Sequence, residues 1–131
     1  MKPKMQDRHL FEYAVIRVMP RVEREEFINV GVILYCAKQK YLNAAFKVSP
    51  ERLKALNCEL EVEVIEDNLN AIVNISRGGK TAGPIGALDL ASRFRWLTAT
   101  RSTVVQCSKV HPGFCVDAEE TLNKLMQELV L

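Results

Sequence analysis

Residues 28–36, "INVGVILYC", decide the fold. Ile28, Val30, Val32 and Ile33 are β-branched, no charge interrupts the run, and so it reads as a strongly buried strand. Gly31 inside it predicts a bulge or a close approach of neighbouring backbone. Upstream, 11–19 "FEYAVIRVM" has the same composition and is closed by Pro20, which cannot donate to a sheet ladder. The charged segment "RVEREEF" joins the two strands. Downstream, Gln39 and Lys40 make a polar turn into 41–48 "YLNAAFKV". There Leu42, Ala44, Phe46 and Val48 alternate with Tyr41, Asn43, Ala45 and Lys47, the period of a half-buried hairpin partner.

Helices follow. Ser49, Pro50 and Glu51 supply a capping hydroxyl, a first-position proline and a first-turn acid, which start a short helix to about Leu56. Over 61–76, Val62, Ile65, Leu69, Ile72 and Val73 recur near every 3.6 residues, with Glu59, Glu63, Glu66, Asp67 and Asn70 opposite. Gly78 and Gly79 stop this helix. The segment 78–92 reads as a loop, 102–108 as β-like, and His111-Pro112-Gly113 as a turn. Asp117 and Glu120 form a capping box for a last helix carrying Leu122, Leu125, Met126 and Leu129. The expected class is α+β: an antiparallel sheet in a single domain over 1–131, with helices packed mainly on one face.

At 131 residues and 48% hydrophobic content the chain can bury an ordinary core, and no apolar run is long enough to span a bilayer. The first residues show no apolar signal region, which points to a cytoplasmic address. Four cysteines beside a sizeable core are expected to stay reduced. Net charge is only +2, but it is unevenly placed: residues 59–70 hold five acids and no base, whereas 71–113 hold six bases and one acid.

That second block contains "RFRWLTATRSTVVQ" (93–106). Guanidinium groups match phosphate or carboxylate oxygens in a two-pronged fashion, so Arg93, Arg95 and Arg101 beside the Ser102 and Thr103 hydroxyls suit an anionic ligand. Trp96 adds a stacking face. The competing expectation is surface ion pairing of these arginines with the acids of 59–67. Glu25 and Glu26 are adjacent, so in extended chain they point apart and do not form a joint acid–base site; pairing with Arg17 or Arg21 is expected instead. His111 has a near-neutral pKa suited to proton transfer, though its place before Pro112 suits a turn equally. Cys107, His111 and Cys115 offer three ligand types for zinc but no fourth partner and no usual spacing, so no metal is expected. "GGKT" at 78–81 lacks the first glycine of a phosphate loop and follows a helix.

Two blocks, "YAVIRVMPRVEREEFINVGVILY" (13–35) and "RFRWLTATRSTVVQCSKVHPG" (93–113), resemble the bacterial domain-of-unknown-function 3037 family. The resemblance marks Arg17, Glu25, Glu26, Asn29, Gly31, Arg93, Arg95, Arg101, Ser102, Thr103, His111 and Gly113. It implies no reaction, and it implies a partner, since similar proteins are often encoded beside HipA-type kinase-fold proteins. The sequence therefore predicts a domain without a cofactor that binds a phosphate-bearing nucleotide or nucleic acid; whether it is also an enzyme stays open, acid–base work by His111 with Glu25 or Glu26 requiring the fold to bring them within about 3 Å of one substrate atom. Arg93, Arg95, Arg101, Ser102, Thr103, His111 and Arg17 would line the pocket, and Glu25, Glu26 and Asn29 would back it. Docking on a kinase-fold partner is the alternative.

Overall fold

The structure is a computed structural model that describes residues 8–79, 82–99 and 103–131. Its sheet runs β1 (His9–Val18), β2 (Ile28–Cys36), β3 (Tyr41–Phe46), β4 (Val105–Cys107) and β5 (His111–Cys115). Its helices are α1 (Pro50–Leu56), α2 (Val62–Arg77), the single turn α3 (Gly83–Gly86), α4 (Leu90–Thr98) and α5 (Ala118–Leu129). All strand pairs are antiparallel, in the order β3-β2-β1-β4, and β5 also pairs with β1.

β4 and β5 share one edge of β1. β4 lies against Ile16–Val18 and β5 against His9–Tyr13. Ser108 holds the interval between them: its amide donates to Val15 O and its hydroxyl accepts from Val15 N, each at 2.8 Å. His111-Pro112-Gly113 is thus strand and not the expected turn. Proline is tolerated there because β5 is an edge, where one amide faces no partner. Gly113 is needed because a Cβ at that position would enter the Phe11 ring.

β2 carries both cores. Ile16 pairs with Gly31 but Arg17 pairs with Asn29, so Val30 is one residue too many and forms a bulge. The bulge reverses the alternation. Beyond it Ile33 faces α1, α2 and α4 while Val32, Leu34 and Cys36 face α5; before it Val30 joins the first group and Asn29 turns toward α5. The first core gathers Ala14, Ile16, Val18, Ile33, Leu53, Ile65, Leu69, Phe94 and Leu97. The second gathers Phe11, Val32, Leu34, Cys115, Leu122 and Met126. The fold is α+β as expected, with α1, α2 and α4 on one face and α5 alone on the other.

The expected caps are in place. Ser49 accepts from Arg52 N, Gly78 ends α2 at φ 76°, and Asp117 accepts from Glu120 N. The loop expected over 78–92 is the main correction: it holds α3, and α4 already begins at Leu90 because Asp89 caps it by accepting from Ser92 N at 2.7 Å. The Ser92 hydroxyl first, and then this amide hydrogen bond, hold the Asp89 carboxyl below its ordinary pKa.

At Gly31 the backbone of β3 leaves no room for a side chain, since a Cβ there would collide with the Ala45 carbonyl oxygen and crowd Phe46. Gly31→Ala is expected to destabilise the protein by about 1–3 kcal/mol. Urea unfolding checks this, and an unchanged midpoint would show that the two strands can separate at no cost.

Candidate functional site

Arg93 is the member of the arginine block that the fold uses most fully. It lies on α4 among Phe94 and Leu97 and retains 7% of its accessible surface. Its Nη1 donates to Ile75 O and Ser76 O, both at 3.1 Å. Those carbonyls belong to the last turn of α2, where acceptors have no partner within the helix and the dipole is negative. Gly78 completes the arrangement, because a Cβ there would overlap the guanidinium. Arg93 thus ties α4 to the end of α2. It makes no ion pair with any described residue, so the expected pairing with the acids of 59–67 does not form.

The other members lie elsewhere. Arg95, two residues on and therefore on the far side of α4, is exposed. Thr103 is exposed and donates its hydroxyl to Val105 O at 2.7 Å. Arg101 and Ser102 lie outside the described residues. Arg17 has the alternation of Phe11 and Tyr13 and so faces α5, with its guanidinium carbon 4.0 Å from the centre of the Phe27 ring. Asn29, paired with Arg17 across the strands, donates Nδ2 to Leu129 O at 3.2 Å and so holds the end of α5. His111 is exposed on β5 opposite Tyr13, with ring centres 5.3 Å apart. Four residues of β1 separate that position from Arg17, roughly 13 Å. The described members are therefore divided between the two faces of the sheet and form no common pocket.

The acidic pair is also redistributed. Glu25 and Glu26 are exposed in the β1–β2 connection, Glu25 at φ 54°, and Glu26 pairs with Arg24 in place of Arg17 or Arg21. Cys107 packs toward α4 and Cys115 toward α5, so the Cys107, His111 and Cys115 trio is spread over both faces. Burial, with Cys36 beside it, pushes the Cys115 thiol up to about 11, which keeps it protonated and a poor nucleophile.

A cleft of about 570 Å³ lies between α2, α4 and the segment leading into β4. α2 forms one wall with Val64, Asn68, Ala71 and Ile75, a row at steps of four, three and four residues beside its core-facing row. Trp96 and Leu97 of α4 and Thr103–Val105 form the other. Val64, Trp96 and Val104 keep 51%, 41% and 38% of their surface exposed, high values for side chains of this size in a concave site. Glu59 and Glu61 stand at its rim, and no described lining residue is basic. Trp96 and Val104 fall within the block singled out in the sequence. Val64, Ala71 and Ile75 do not, although their interruption of the acidic face of 61–76 was the available signal.

Residues 13–130 match the family described as "Protein of unknown function (DUF3037)". The chain belongs to this family. No curated protein and no solved structure matches it. For this DUF3037 chain, Arg93, Asn29, Gly31 and Gly113, marked by the family resemblance, each serve contacts between structural elements. Among the described residues no helix is long and apolar enough to cross a membrane, and no three of His, Cys, Asp or Glu gather as a metal site would require.

Arg93→Met keeps the apolar stem but takes the donor from Ser76 O and leaves Ile75 O with the Gly78 amide alone, and it is expected to cost about 1–3 kcal/mol of stability. Arg95→Ala is expected to stay within about 0.5 kcal/mol of wild type. Chemical denaturation of the two variants side by side checks the assignment, and equal losses would remove it.

Proposed function

We propose that the chain is a protein-interaction domain whose α2–α4 cleft receives an amphipathic helix of a partner. The single observation that carries this reading is the apolar cleft itself, with Val64, Trp96 and Val104 left exposed along its walls. An α2 row at Val64, Asn68, Ala71 and Ile75 offers ridges and a shallow centre at Ala71, the relief into which a second helix packs. The acidic rim at Glu59 and Glu61, continued on α2 by Glu63, calls for lysine or arginine at the edges of the incoming helix. A HipA-type kinase-fold protein is the partner that the family resemblance implies.

Anion binding is the second reading, favoured by Arg95 on the turn that carries Trp96 and by Thr103 at the cleft. It rests on fewer groups than the sequence offered, since Arg93 is occupied and Arg17 and His111 lie on the opposite face.

Co-expression with a HipA-type kinase-fold protein, the partner that the resemblance implies, tests the first reading. Wild type is expected to co-elute with it and Val64→Lys to lose it, with the melting temperature of the isolated variant unchanged. Trp96 is the sole tryptophan, so its emission is expected to shift to shorter wavelength on complex formation. Retention of the complex by Val64→Lys would overturn the proposal. The readings separate in a thermal-shift titration with inorganic phosphate and nucleotides: a helix-binding cleft gives no stabilisation, whereas an anion site gives one that Arg95→Ala abolishes.

A further inference from the structure

The β3 edge of the sheet offers a second surface, on other residues than the α2–α4 cleft. β3 pairs with β2 on one side only. Lys47 N donates to Val30 O at 2.8 Å, so in this antiparallel ladder the odd-numbered residues of β3 bond to β2. Leu42, Ala44 and Phe46 then direct their amides and carbonyls outward. Among the described residues, the one hydrogen bond that meets these groups is from Ala44 N to the side chain of its neighbour Asn43, at 2.9 Å.

A polar cleft of about 370 Å³ runs along this edge, between the last turns of α2 and the first turns of α5. Arg77 lines it from the α2 side and Glu119 from the α5 side, and the two make no ion pair with each other. Tyr41 lines the same cleft, with its hydroxyl shut off from solvent. Burial raises the Tyr41 phenol above its ordinary pKa. Asn43 opposes the rise, the Glu119 and Asp117 carboxylates add to it, and Arg77 draws it back.

We propose that the β3 edge accepts an extended segment of another protein by strand addition, with an acidic and a basic side chain at neighbouring positions of that segment. Neighbouring side chains of a strand point to opposite faces, so the acid would reach Arg77 over one face while the base reaches Glu119 over the other. The outward groups of Leu42, Ala44 and Phe46 supply the main-chain hydrogen bonds. A second copy of this chain does not fit as well. Antiparallel pairing of two β3 edges places a two-fold axis across the sheet and sets α2 against α2 and α5 against α5, with like charges facing. β3 itself, "YLNAAF", brings no charge to either.

The test uses the full chain and the blocked hexapeptide Ac-Thr-Val-Glu-Lys-Val-Thr-NH2, followed by amide NMR. Millimolar peptide is expected to shift the Leu42, Ala44 and Phe46 amides and to slow their hydrogen exchange. Arg77→Glu is expected to weaken binding about tenfold, and methylation of alternate peptide nitrogens to abolish it. The proposal falls if these amides do not move, if the methylated peptide binds equally, or if the same shifts arise with protein concentration alone, which would mark self-association. Val64→Lys is expected to leave the titration unchanged, so loss of the helix-binding reading and loss of this one are separate results.

Discussion

The contact between the Arg93 guanidinium and the last carbonyls of α2 organises this side of the molecule. Burying a cation is costly, and the C-terminus of α2 offsets part of that cost with two acceptors for Nη1 and a negative dipole, while Nε stays buried without a partner. In return α4 is fixed at a set distance and rotation from α2. That rotation turns Phe94 and Leu97 into the core and leaves Trp96 partly exposed over the cleft. The same residue that a sequence reading assigns to ligand therefore shapes the cleft without lining it.

On the opposite face, the Val30 bulge has a comparable role. By reversing the alternation of β2 it brings Asn29 to the α5 side, next to Arg17, and lets a single polar side chain hold the end of α5 through Leu129 O. Arg17 is covered in turn by Phe27, whose ring stabilises the cation where α5 ends. Basic side chains that are neighbours in pattern are thus distributed to two helix ends on opposite faces of the sheet. Among the described residues, this distribution brings no two of these arginines into one pocket.

Both surfaces follow from the layering. α2 is wider in its apolar character than one sheet face requires, and the surplus row faces α4 across a cleft. β3 is an edge strand flanked by α2 and α5, so its unpaired backbone lies in a cleft with one charge on each side. Neither feature stabilises the isolated chain, since each leaves apolar or hydrogen-bonding groups to water.

Local pattern was enough for β1, β2, β3, α1, α2 and α5, because their periodicity, caps and closing residues all act within a few positions. Ser49, Gly78 and Asp117 do in the fold what their chemistry states in the chain. α4 was hidden because Arg93 occupies a position its helical period reserves for an apolar residue, and its burial makes sense only once the carbonyls of α2, some 17 residues away, are present. β5 was hidden because Pro112 and Gly113 are turn formers in isolation, and only an edge position and the Phe11 ring make them strand residues. The sequence by itself determined which segments are regular and which residues carry charge. Tertiary structure alone decided which of those charges face water, because that depends on acceptors supplied by remote parts of the chain.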